Sequence, residues 1–209
     1  VVITWENATT SFFNVPSGAE LTVSGNIVIC GRERNGQRAF DVAGTLNFGK
    51  ENSESEYPKV EQFDLSTEKG IAAVYVNGGT LNLYSGTLSQ NKGYYGGAVS
   101  VRYKGNANLF GGTISGNTAP SGGGLYVANS TVTLSGTKIS ENIAQKGGGV
   151  YNQNGTVTIE QGEISGNWVD GEIPNGGGIY SDGTVTMNGG KINENAVKVN
   201  VNKYGRGRG

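Results

Sequence analysis

Apolar residues in this chain fall at alternate positions, in short bursts separated by glycine or asparagine, and the bursts themselves repeat. Leu125-Tyr126-Val127 follows Gly122-Gly123-Gly124, Val150-Tyr151 follows Gly147-Gly148-Gly149, and Ile179-Tyr180 follows Gly176-Gly177-Gly178. The openings lead to Thr131-Val132-Thr133-Leu134, Thr156-Val157-Thr158-Ile159 and Thr184-Val185-Thr186-Met187. The copies close on Ile139-Ser140-Glu141-Asn142, Ile164-Ser165-Gly166-Asn167 and Ile192-Asn193-Glu194-Asn195. An earlier copy runs from Gly96-Gly97-Ala98-Val99 to Ile114-Ser115-Gly116-Asn117, and a weaker one from Ala73-Val74-Tyr75 to Leu88-Ser89-Gln90-Asn91.

Period two marks strands with one face in and one face out, and no segment sustains a period of 3.6. Three such strands per copy are too short to bury an apolar face alone, but stacked copies share a continuous core. Coils about 4.8 Å apart satisfy the backbone hydrogen bonds and put like positions over like. The pattern therefore predicts an all-β, right-handed parallel β-helix of three-strand coils, about 25 residues each, seven to eight in number. The inward columns are Val99/Leu125/Val150/Ile179 on the first strand, Leu81/Ala107/Val132/Val157/Val185 and Leu83/Leu109/Leu134/Ile159/Met187 on the second, and Leu88/Ile114/Ile139/Ile164/Ile192 on the third. They fill the interior and leave no room for a ligand.

Asn91, Asn117, Asn142, Asn167 and Asn195 each stand three residues after the inward Leu or Ile of the third strand. An amide both donates and accepts, so stacked asparagines can bond each other and the turn backbone. These five are expected to form a structural ladder.

The organisation reads as a single domain over 1–209. Residues 1–69 form irregular opening coils, built on Leu21-Thr22-Val23, Ile27-Val28-Ile29, Phe40-Asp41-Val42 and Leu46-Asn47-Phe48, with a polar loop over 50–69. Regular repeats occupy 70–202 and a frayed tail 203–209. An insertion from Trp168 to Asn175 lengthens one turn of the regular part. An open last coil exposes core and strand edges, so a further coil or domain is expected beyond Gly209.

Composition narrows the function classes. Glycine supplies 37 of 209 residues without a collagen period, as many tight turns require, and net charge is -1 with no histidine. A near-neutral chain lacks the basic field that nucleic acid or an anionic membrane needs. Arg206-Gly207-Arg208 is the only basic cluster. No stretch has the roughly 18 apolar residues of a membrane span and no signal segment is present, so the chain reads as a mature piece. The single cysteine, Cys30, follows Ile27-Val28-Ile29 and is expected to be a buried, inert thiol.

Catalysis has little to stand on. Acids are spread thinly over the coils, no metal-ligand cluster is evident, and no cofactor is implied. The best acid pair, Asp170 and Glu172 near Asp182, lies in the insertion, where solvated surface charge is the plainer reading. Two outward ladders remain. Tyr75, Tyr126, Tyr151 and Tyr180, interrupted by Ser100, stand outside the first strand. Their rings, with Trp168 and Tyr94-Tyr95, are candidates for docking sugars. Thr-x-Thr at 131/133, 156/158 and 184/186, preceded by Thr80/Asn82 and Asn106/Asn108, forms a flat face similar to that of ice-binding solenoids.

The repeat resembles the Gly-Gly-Ala-Val/Ile plus Phe-x-x-Asn repeats of polymorphic outer-membrane proteins and adhesin-like surface proteins of bacteria and archaea. Gly96-Gly97-Ala98-Val99 carries the first half, and Ile/Leu-x-x-Asn replaces the second, which favours the broader adhesin-like group. The resemblance covers 70–195 and implies an exported module at the cell surface, used for attachment or as a spacer. Its implied partners are host or cell-surface glycans or proteins and neighbouring domains of the same polypeptide. It brings no catalytic residue. The expectation is an extracellular structural or adhesive module and not an enzyme. A carbohydrate-active β-helix is the alternative and an ice-binding solenoid a lesser one.

Overall fold

A computed structural model describes residues 2–3, 11–31, 37–66, 72–171 and 173–198. Among them there is no helix; short parallel strands wind into a β-solenoid of about seven turns with about 26 residues per turn. The first strand of each coil stacks from Ser11–Val15 and Arg38–Val42 through Val74–Asn77, Val99–Arg102, Leu125–Ala128 and Val150–Gln153 to Ile179–Ser181. The second stack starts at Glu20–Val23 and Thr45–Phe48 and ends at Thr184–Met187. The third runs from Val2–Ile3 and Val28–Cys30 to Lys191–Asn193. In two coils the second and third strands merge into the long strands Thr131–Ser140 and Thr156–Ser165, which join both stacks into one sheet.

Register follows the repeat residue by residue. Val99 pairs with Leu125, Leu125 with Val150, and Val150 with Ile179. Leu83, Leu109, Leu134 and Ile159 form another column, and Leu88, Ile114, Ile139 and Ile164 a third. Nearly all are fully buried, as period-two alternation around a filled interior demands. In the last described coil the same inward positions, Val185, Met187 and Ile192, are 37–48% exposed, because no described coil covers them.

Two expectations need correction. Each later coil has a fourth short strand after the asparagine turn, at Thr118–Ser121, Ile143–Lys146, Trp168–Asp170 and Ala196–Lys198. Trp168 to Asp170 is therefore strand, not insertion, since Val169 is needed in the wall above Ala144. The polar segment 50–69 is likewise not a single loop. Lys59–Glu61 is a third-stack strand between Val28–Cys30 and Thr87–Ser89, and Val60, Phe63 and Leu65 are buried. Outward Lys59, Glu61 and Asp64 disguise the alternation there. The opening coils stack as part of the same solenoid: Phe40 pairs with Val74 and Leu46 with Leu81. Residues 67–71, the tail 203–209 and its basic cluster lie outside the described residues.

The Gly-Gly-Gly triplet has a distinct reason at each position. Gly147 takes φ +62, a left-handed value; a Cβ on Gly148 would lie 2.3 Å from the Gly177 carbonyl oxygen; a Cβ on Gly149 would lie 3.0 Å from the Asn167 amide. The glycine that opens a coil and the asparagine that closes it are packed against each other.

Candidate functional surfaces

The asparagine ladder is continuous. The side-chain oxygen of Asn142 accepts from the backbone N–H of Asn117 at 3.0 Å and from its Nδ2 at 3.0 Å. Asn142 Nδ2 donates to the Ile114 carbonyl at 3.0 Å and to Asn167 Oδ1 at 2.9 Å. The same set recurs at Asn117 and Asn167. Asn91 starts the column, accepting from the Phe63 N–H, and Asn195 ends it among the described residues. Every donor and acceptor of the interior amides is used within the fold, so the ladder offers nothing to a ligand.

The tyrosine column stands where its spacing puts it, outside the first stack: Tyr75, Ser100, Tyr126, Tyr151 and Tyr180 are register partners. The rings, however, face one another. Tyr126 and Tyr151 stack at 5.4 Å, and Tyr151 and Tyr180 at 5.0 Å. Tyr95 leans over Tyr126 at 4.9 Å, in the space that Ser100 leaves, and Arg102 lies 5.4 Å from the Tyr95 ring. Tyr126 is only 1% exposed and bonds Gln153, so the expected open ring is a buried one. Burial pushes its phenol up to about 12 and raises Tyr75 and Tyr151 as well. The interruption at Ser100 and the Tyr95 just before Gly96-Gly97 were the sequence signals for this infill.

Asp170 and Asp182 stand on different stacks. Asp170 is exposed on the fourth stack, paired in register with Lys198. Asp182 follows the first stack, and its carboxylate accepts from the Asn154 N–H at 2.9 Å. Glu172 lies outside the described residues. Trp168 is half-buried, with Lys198 Nζ 2.9 Å from its ring centroid, so a cation of the chain occupies that ring. Among the described residues no three Asp, Glu, His or Cys side chains group as metal ligands would. Cys30 is buried and free, its Sγ donating to Gln62 Oε1 at 3.2 Å.

The outward face of the second stack is the most uniform surface. Thr45, Thr80, Asn106, Thr131, Thr156 and Thr184 form one column, and Asn47, Asn82, Asn108, Thr133, Thr158 and Thr186 the other. The amides of Asn47, Asn82 and Asn108 are linked by hydrogen bonds of 2.8 and 2.9 Å. No charged residue interrupts these twelve positions, and Glu20 stands next to Thr45 at the head of the first column. No protein-family model, curated protein or solved structure matches the chain.

Proposed function

We propose that this chain is a structural and adhesive repeat module of an exported protein, a stiff arm whose outward faces meet glycans or proteins. The carrying observation is where its polar chemistry goes. The buried amides are spent on joining coils, the interior is filled with aliphatic side chains, and the outward residues run in columns along the arm. The repeat's likeness to adhesin-like surface proteins supports the same reading. A carbohydrate-active enzyme needs acids held together at a fixed separation, and Asp170 and Asp182, two of the acids that the sequence groups, stand on different stacks.

The test has two arms, both on the full chain. Incubation with plant and bacterial polysaccharides should release neither reducing ends nor unsaturated sugars; release of either overturns the non-enzymatic reading. Beads coated with the chain should adhere to some of a panel of immobilised glycans and matrix proteins. Adhesion to none removes the adhesive half and leaves a spacer.

The register of the threonine columns favours one second reading, an ice-binding face. Ranks about 4.8 Å apart, with about 6.8 Å between the two threonines of a rank, present a flat lattice of hydroxyls and methyls. Ice recrystallisation that proceeds unchanged at micromolar protein removes it.

A further inference from the structure

The outward column at the corner between the second and third stacks breaks the repeat. Its members are Gly49, Tyr84, Phe110 and Ser135, each following an inward residue of the column Phe48, Leu83, Leu109 and Leu134. Two rings are thus bracketed by a glycine and a serine. Tyr84 and Phe110 stack at 5.1 Å with planes 11° apart, and Phe110 is 45% exposed. The adjoining coils carry Gly49 and Ser135 here, and the coils beyond carry Glu160 and Asn188, so the ring stack is particular to these two coils.

Beside the rings rises the segment that leaves the coil at Gly49 and returns at Pro58. Backbone bonds tie it down at both ends: Lys50 N–H donates to Ser85 Oγ at 2.9 Å, and the Ser55 carbonyl accepts from Gly86 N–H at 3.0 Å. Thr87 Oγ1 also donates to the Glu56 carbonyl at 2.9 Å. Its tip, Glu51 to Glu54, is held opposite the aromatic pair and encloses an open cleft of about 580 Å³ with it. Glu56 is paired with Lys59, whereas Glu51 and Glu54 have no ion-pair partner among the described residues. Among the described residues no cationic side chain lines the cleft.

We infer that this cleft is a saccharide-binding subsite, taking an uncharged sugar whose apolar ring face lies against Phe110 and whose hydroxyls donate to Glu51 and Glu54. The inference rests on the adhesive reading and names its ligand class. A flat apolar contact bordered by several acceptors matches a ring with one C–H face and many hydroxyls. The two carboxylates repel uronates and other anionic sugars. A lone ammonium would satisfy the carboxylates but fill little of the volume. The loop is anchored to the coil at both ends, which lowers the cost of ordering its tip on binding.

The experiment titrates the full chain with neutral gluco-, manno-, xylo- and chito-oligosaccharides, with oligogalacturonide as the anionic arm and hexalysine as the cationic arm. At least one neutral series is expected to bind. Phe110→Ala and the double variant Glu51→Gln/Glu54→Gln should each weaken it by at least about tenfold, with melting unchanged for the exposed carboxylates and slightly lowered for Phe110→Ala, which loses its stack on Tyr84. Silence of every neutral sugar to about 10 mM, binding confined to hexalysine or oligogalacturonide, or an unaltered Phe110→Ala affinity overturns the cleft assignment. A chain whose coated beads still adhere while the cleft is silent overturns the subsite alone; loss of adhesion to every surface is what removes the broader reading.

Discussion

Replacing Asn142 by leucine isolates the ladder from packing. Leucine has nearly the outline of asparagine, so no cavity opens, but four hydrogen bonds vanish. The Asn117 backbone N–H loses its acceptor, and the Ile114 carbonyl loses its amide donor, both in a fully buried setting. Each unsatisfied buried group costs about 1–3 kcal/mol, partly offset by burying two methyls, for a net loss of about 2–4 kcal/mol. In a domain of this size that is a fall in melting temperature of about 5–15 °C. Asn195→Leu, at a half-buried end of the column, should cost less than half as much. Asn142→Asp adds a sign test. Its carboxylate would face the Ile114 carbonyl and the Asn167 side-chain oxygen, so its folded pKa rises above the unfolded value of about 3.9. The ionisation penalty is then absent below that pH, leaving only the loss of one amide donor, and grows as pH rises to the folded pKa. Thermal melts by circular dichroism at pH 4 and 7 read both effects. An Asn142→Leu melt within about 1 °C of the parent, or an Asn142→Asp penalty independent of pH, refutes the reasoning.

Four further outcomes follow from the same geometry. Ser100 Oγ is buried without a partner, so Ser100→Ala should leave the melting temperature equal or slightly higher; a loss above about 1 kcal/mol would mean the hydroxyl is bonded. Gly148→Ala forces coils apart, its Cβ 2.3 Å from the Gly177 oxygen, and should cost more than Gly166→Ala, where φ is +63 but the nearest atom is 4.0 Å away; denaturant melts giving the reverse order sink the close-stacking account. Because burial holds the Tyr126 phenol up at about 12, the fold keeps a proton that the unfolded chain loses near pH 10. Stability is therefore full below pH 10 and falls as pH rises toward 12, and Tyr126→Phe should flatten that fall in alkaline melts; an unchanged slope counts against it. Deleting 125–149 joins Gly124 to Val150, register partners of Gly149 and Leu125 in the repeat, and should give a folded, shorter solenoid by circular dichroism, whereas removing half that length should not; failure of the in-phase deletion contradicts independent stacking.

How far the sequence could be read depended on which face a residue serves. Inward columns and the asparagine ladder were legible because each member meets its own counterpart one coil away, so stacking enforces the repeat in the sequence itself. Lys59–Glu61 was hidden because one buried Val60 between two charged neighbours is too short an alternation to stand out. The fourth strands were hidden because Thr118–Ser121 and Ile143–Lys146 turn few apolar side chains inward. Tyr126 misled in the opposite sense. Its outward direction was legible, but its burial is produced by Tyr95, which belongs to the preceding turn and is marked in the tyrosine column only by the gap at Ser100. The cleft beside Phe110 escaped for a like reason: its two walls are 30 to 60 residues apart and neither follows the repeat pattern.

A stacked repeat also constrains where recognition can arise. A column that recurs in every coil presents the same group every 4.8 Å or so, and only a partner that is itself periodic gains from more than one rank. The threonine and asparagine columns meet that condition, so affinity through that face must grow with the number of coils. A compact ligand needs dissimilar groups converging on one point, which an unbroken repeat cannot supply. Such groups occur where a coil departs from its neighbours, and the 50–58 excursion against Tyr84 and Phe110 is the departure that brings carboxylates, an amide and an exposed ring together. Removing the coil 125–149 shortens the threonine face and leaves that cleft's own residues intact. The shortened chain should therefore lose affinity for a periodic surface while holding a single oligosaccharide as before. A deletion that weakens both together would place recognition in the arm as a whole and not in its break.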